Sequence, residues 1–209
     1  MLCFPRLGDY GYLGNAMFQY AALLGISNKH GYTPVYDYEK IGTMSTLHDH
    51  LKISKAENLP HWKQVHSVKR IWKEPHFHFS DVAFSTDTDP NESISNVKDD
   101  TGLNGYFQSE KYFKHIDSEI MSEFQFSEET IEECKSKIEQ IRNSVEDVSI
   151  ISIHVRLGDY KMLEHIYVPL VKTPYYQTSI AHLENDIKGN VVFLVFSDEI
   201  ELCKQLFQG

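Results

Sequence analysis

Long apolar runs, basic clusters and paired cysteines are all missing from this chain of 209 residues, and each absence removes a class of function. The longest uninterrupted apolar run is Val191 to Phe196, far too short to span a bilayer, so no transmembrane segment is expected. The amino terminus, MLCFPRLGD, has no basic head followed by a long apolar stretch and does not read as a secretory signal. Lys and Arg number 20 against 30 Asp and Glu, a formal net charge of -10, and no basic run or basic-aromatic patch offsets it. Nucleic acid is therefore not an expected partner. A small anion remains a possible one, because a single well-placed Arg and a helix N-terminus can hold a phosphate against an overall negative charge. Cys3, Cys134 and Cys203 are scattered and show no Cys-x-x-Cys spacing. They read as reduced, partly buried thiols of a cytoplasmic protein, neither a disulfide framework nor a zinc site. There is also no Gly-x-Ser-x-Gly elbow, no Walker loop and no Cys-His signature, so nucleophilic catalysis has no support.

What is present is the makeup of a globular protein: 41% hydrophobic residues, with 12 Phe and 12 Tyr, enough for one large domain or two small ones. Ala16 to Lys29 carries Phe18, Ala21, Ala22, Gly25 and Ile26 at helical spacing, with Gly31 as a stop. The segment Thr33 to Tyr36 reads as a strand with Pro34 near its start, which makes the opening strand, loop, helix, strand. A short helix is expected near Ser45 to Leu51, and extended pieces near Val65 to Trp72 and His76 to Phe84. A polar loop is expected over Ser85 to Asp100, then a strand over Leu103 to Gln108 and a helical turn to His115. Ser127 precedes a helix, Glu128 to Ile141, with acids in its first turn and Ile131, Ile138 and Ile141 in a stripe. A second α/β pattern follows. Val148 to Val155 and Val191 to Phe196 read as buried parallel strands, joined by a helix that Thr173-Pro174 opens and Gly189 ends. The expected organisation is two α/β lobes, residues 1–146 and 147–209, with the sheet of the second unfinished at Gly209.

Ligands of open α/β sheets bind beyond the carboxyl ends of the strands. His154 and Arg156 stand at such an end, and a guanidinium there could fork onto two phosphate oxygens. The alternative is a structural salt bridge from Arg156 to Asp159 with His154 in the core. Gly14 and Asn15 stand in a loop ahead of the first helix, where Asn15 could cap the helix or reach a ligand. Ser197-Asp198-Glu199 follows the last strand, either as a helix cap or as a polar ledge for a nucleotide. His48-Asp49-His50 and His76-Phe77-His78 invite a metal, but no Cys or carboxylate completes a recognised spacing, and they read as surface or partly buried histidines.

Five segments gather these pieces: GYLGNAMFQYA (11–21), EPHFHF (74–79), LNGYFQSEKYF (103–113), SIHVRLGDY (152–160) and VFSDEIELCKQLF (195–207). They occur in the order found in the α-1,2-fucosyltransferases that use GDP-fucose, and the chain resembles that family along essentially its whole length. The resemblance implies a GT-B type enzyme of two Rossmann-like lobes flanking a cleft, with the second lobe incomplete. It implies inverting transfer of fucose from GDP-L-fucose to the 2-hydroxyl of a galactoside-terminated glycan, with no cofactor and no required metal. By the same resemblance, Arg156, His154 and Asn15 would be catalytic. Gly14, Asn15, His154, Arg156, Asp159, Tyr160, Ser197 and Asp198 would contact the donor. The chain departs from the family pattern at Leu157, where a second Arg is usual, at Ala16, where Gln is usual, and at Glu199 and Leu202. It also lacks the later Asn-Ser-Ser-Phe-Ser-Trp-Trp segment, from which low or no activity of these residues is expected. The other expectation, from the same departures, is a non-catalytic module that binds a glycan or a partner protein.

Overall fold

The computed structural model describes residues 1–36, 68–76, 78–81 and 93–207. The expected helix near Ser45 and the histidines His48 and His50 lie outside the described residues, as do residues 77 and 82–84 of the piece from His76 to Phe84.

The chain folds as two compact units, Met1–Ile131 and Glu132–Gly209. The first is built on four parallel strands, β1 (Leu2–Phe4), β2 (Pro34–Tyr36), β3 (Arg70–Lys73) and β4 (Thr101–Asn104), in the order β2-β1-β4-β3. Parallel neighbours need a crossover, and helix α1 (Leu13–His30) supplies the one from β1 to β2. Its residues Gln19 to Ser27 are all buried, so it is a core helix without a solvent face over that stretch. The small residues in it are there for contact. A Cβ on Gly25 would stand 2.4 Å from the carbonyl oxygen of Tyr112, so only glycine lets the helix approach that backbone. Leu2, Phe4, Tyr20, Leu23, Tyr36, Trp72, Leu103 and Phe107 complete the core around it.

Two short 3₁₀ turns, Glu110–Tyr112 and Lys114–Ile116, lead into α2 (Asp117–Glu123) and then α3 (Glu128–Ser144). The Ser127 hydroxyl accepts from the Thr130 N–H at 3.2 Å and caps α3, as the sequence predicts. The helix has no buried residue, and its isoleucine stripe is only half-buried. The division between the units falls inside α3, ahead of the sequence-based boundary at residue 146. A helix with no buried side chain belongs fully to neither core, and periodicity alone does not reveal that.

The second unit pairs β5 (Val148–Val155) with β6 (Asn190–Ser197) in parallel, with α4 (Tyr175–Asp186) between them in sequence and α5 (Ile200–Leu206) after. The α/β class and the parallel pairing follow the sequence reading. The burial does not. Ile153 and Val155 are the buried residues of β5, β6 has none, and Phe196 is 55% exposed. The reason is the width of the sheet: two strands leave apolar side chains partly open that flanking strands and helices would otherwise cover. The core here is small: Ile153, Val155, Leu157, Tyr176 and Cys203.

Candidate functional site

The register of β5 on β6 sets Val155 opposite Ser197, so the next residues, Arg156 and Asp198, emerge side by side beyond the carboxyl ends of the strands. Arg156 is held from two directions. Its Nη2 donates to Asp159 Oδ1 at 2.8 Å, its Nη1 lies 2.9 Å from Asp198 Oδ2, and the guanidinium stands 5.6 Å from the centre of the Tyr160 ring. Asp198 is itself fixed, because its Oδ1 accepts from the Leu157 N–H at 2.9 Å. That hydrogen bond, with help from the Gly158 N–H and the Arg156 charge, holds the Asp198 carboxyl below the usual aspartate range. Gly158 is required by this closeness: a Cβ there would stand 2.6 Å from Asp198 Oδ2, the oxygen already engaged by Arg156.

Beside Arg156 opens a cavity of about 350 Å³. Leu157, Val168, Pro169 and Val171 give it apolar walls, while Arg156, Lys161 and Lys172 bring positive charge. Tyr160 and Tyr167 stack face to face across its lining, with ring centres 4.3 Å apart and planes 3° from parallel. Lys161 pairs with Glu199 at 2.6 Å and Lys172 with Glu164 at 2.6 Å. Chemically, the cavity joins exchangeable cations to a flat aromatic surface, a combination suited to an anion carried on a planar body.

In the first unit the carboxyl-end loops are tied together by buried polar side chains. Gln19 accepts from the Gly8 N–H at 2.8 Å and donates to the Gly105 carbonyl at 3.0 Å, joining the loop after β1 to the loop after β4. Glu74, just past β3, is buried and accepts from the N–H groups of Tyr106 and Phe107 at 2.9 and 2.7 Å and from the Tyr112 hydroxyl at 2.9 Å. Burial pushes its carboxyl above the usual glutamate range, against the pull of those three donors. Asn15 accepts from the side-chain amide of Gln108. It does not cap α1, which begins earlier, at Leu13 after Tyr12, with no side-chain cap. Gly14 lies in the same first turn with open space where a Cβ would be.

The model of glycosyl transferase family 11 matches residues 8–208. The chain belongs to that family. Among its relatives are an alpha-1,2-colitosyltransferase of Escherichia coli and a galactoside alpha-(1,2)-fucosyltransferase 2 of Oryctolagus cuniculus. The first is 26% identical over 93% of this chain and 69% of its own length. The second is 23% identical over 96% of this chain, which spans only 54% of that relative. Among solved structures, the fucosyltransferase NodZ from Bradyrhizobium is similar with a TM-score of 0.49 at 13% identity, over 99% of this chain and 75% of that one.

Within this family 11 chain the residues singled out from sequence fall into four groups. Arg156 and Tyr160 line the second-unit cavity. Asp159 and Asp198 hold Arg156. His154 is exposed on β5 with its carbonyl accepting from the Tyr176 hydroxyl, and Ser197 accepts the Glu199 N–H; neither lines the cavity. Gly14 and Asn15 are in the first unit. Sequence reasoning missed Lys161, Tyr167 and Lys172, which come from the segment between β5 and α4, and it missed Glu74. A carboxylate inside the aromatic run EPHFHF was the available signal for Glu74. Among the described residues no three His, Cys, Asp or Glu side chains gather where a metal could sit, and no helix is long and apolar enough to cross a membrane.

Proposed function

We propose that this family 11 glycosyltransferase chain is of the galactoside α-1,2-fucosyltransferase type and that its second unit takes the nucleotide donor. The observation that carries the reading is Arg156, standing at a strand end beside a cavity with stacked tyrosines and two further lysines. In this reading the guanine base lies against the aromatic and apolar lining, and Arg156 faces the diphosphate. Transfer breaks the bond from fucose C1 to the phosphate oxygen, and GDP leaves with the electron pair. The 2-hydroxyl oxygen of the galactoside bonds to C1 from the opposite face and releases its proton to solvent water. Arg156 stabilises the negative charge that grows on the leaving diphosphate, and no metal is needed for that neutralisation. Asp159, Tyr160 and Asp198 hold or flank the arginine, and His154 and Ser197 border it along the strands. A cytoplasmic setting belongs to the same proposal, supported by three free cysteines.

The second reading, a binding module without transfer, draws support from Leu157. Its side chain is buried in the small core, where a second arginine would have doubled the local charge. A thermal-shift panel of GDP, UDP, ADP and a galactoside separates the two. Stabilisation by GDP above the other nucleotides supports the donor reading; stabilisation by the galactoside alone supports the binding module.

A further inference from the structure

A second cavity, also about 350 Å³, lies in the first unit and involves none of the residues discussed as donor contacts. Ile26 and the ends of α1, Lys29 and His30, form one side; Phe79, Ile94, Ser95 and the turn residues Lys111, Tyr112 and His115 form the rest. Its floor is apolar and buried, made by Ile26, Ile94 and Tyr112. Its rim is cationic, and among the described residues no Asp or Glu lines it.

The contrast with the other cavity is in how the cations are used. Arg156, Lys161 and Lys172 are each paired with a carboxylate. Here, the Lys29 ammonium has the Ser95 hydroxyl at 3.5 Å, and the Lys111 ammonium stands 5.1 Å from the centre of the Phe79 ring. Neither meets a carboxylate among the described residues. Glu110, next to Lys111 in sequence, is taken by Lys114 at 3.1 Å, and Asp81 accepts from the hydroxyls of Ser93 and Ser95. The rest of the lining is held in place. His30 and His115 each set Nε2 on a backbone carbonyl, Ile94 at 3.1 Å and Gly25 at 3.0 Å, and the Tyr112 hydroxyl donates to Glu74. In a chain of net charge -10, two lysines that meet no carboxylate among the described residues, set over a preformed apolar floor, are a built complement for a negative group on an apolar body.

We propose that this cavity binds a small organic anion, a phosphate or carboxylate carried on a flat apolar body. Lys29 and Lys111 take the anionic group, and Phe79, Ile26, Ile94 and Tyr112 take the body. The site does not depend on the nucleotide reading of the second unit.

The test titrates the whole chain with phenyl phosphate and with benzoate, following the imidazole resonances of His30 and His115 by NMR. Saturable shifts of both rings by at least one probe are expected, while inorganic phosphate and phenol each bind at least about tenfold more weakly than phenyl phosphate. Lys29→Gln and Lys111→Gln should each weaken the better probe about threefold and together about tenfold, in the range of solvent-exposed charge pairs. Lys114→Gln, which removes a paired lysine nearby, should leave it unchanged. No saturable shift with either probe, or an affinity indifferent to both substitutions, overturns the proposal.

Discussion

The string RLGDY occurs twice, at residues 6–10 and 156–160, each time shortly after a strand of a parallel sheet. The two copies share their internal chemistry. Arg6 pairs with Asp9 at 3.1 Å and covers the Tyr10 ring at 4.5 Å; Arg156 pairs with Asp159 at 2.8 Å and stands over Tyr160 at 5.6 Å. Leu7 and Leu157 are both buried. The copies part company in what receives the backbone N–H groups. In the first, Gly8 donates to the amide of Gln19, a neutral and fully buried side chain. In the second, Leu157 donates to the carboxylate of Asp198, which also grips the arginine. An identical pentapeptide therefore makes a structural corner in one place and a charged, cavity-facing corner in the other. The partner from elsewhere in the chain decides which.

That comparison breaks most directly at the arginines. Arg156→Ala should weaken GDP binding about a hundredfold by calorimetry, the size expected for losing a forked, charge-assisted contact to phosphate. Arg6→Ala should change it less than about twofold, and equal losses would erase the distinction. At the receiving side chains the effects concern stability. Gln19→Leu strands a buried N–H and a buried carbonyl and should cost about 2 kcal/mol in urea unfolding. Asp198→Asn keeps an acceptor for Leu157 and should cost about 1 kcal/mol. Asp198 is lowered in the folded chain, so its contribution is fully present above the ordinary aspartate value of about 3.9 and lost as pH falls through the folded value. The gap between wild type and Asp198→Asn should close below that pH; a gap that widens on acidification would refute the assignment. The smallest effect sharpens the second copy alone. Asp159 is tied to the site by Arg156, whereas Asp198 is also anchored by backbone, so an arriving diphosphate should displace Asp159. Asp159→Asn should tighten GDP about threefold, and a weaker complex would show that Asp159 helps hold the donor.

Much of the frame was legible because it is local. Strand β5 runs from Val148 to Val155 as its β-branched run predicts, Gly31 follows α1, and Ser127 caps α3. Two starts were misread for local reasons. Gly14 and Asn15 look like loop but form the first turn of α1, and Pro174 precedes α4 where it was expected as its first helical residue. Burial in the second unit was overestimated because strand composition does not report how many strands lie alongside. Arg156 and Asp198 were legible as strand-end residues, but their pairing depends on the β5–β6 register. Gln19 was not legible and Glu74 only by its place in EPHFHF, since their partners lie 11 to 86 and 32 to 38 residues away.

The charge balance around the second-unit cavity carries a kinetic consequence. Arg156, Lys161 and Lys172 stand against Asp159, Asp198, Glu199 and Glu164, three positive groups facing four negative ones. An approaching nucleotide therefore meets no attractive funnel and, at longer range, a chain of net charge -10. If Arg156 takes the donor as proposed, capture is slowed by repulsion until the ligand is close enough to exchange partners with the arginine. Added salt, which ordinarily slows an enzyme's capture of an anion, should here speed it.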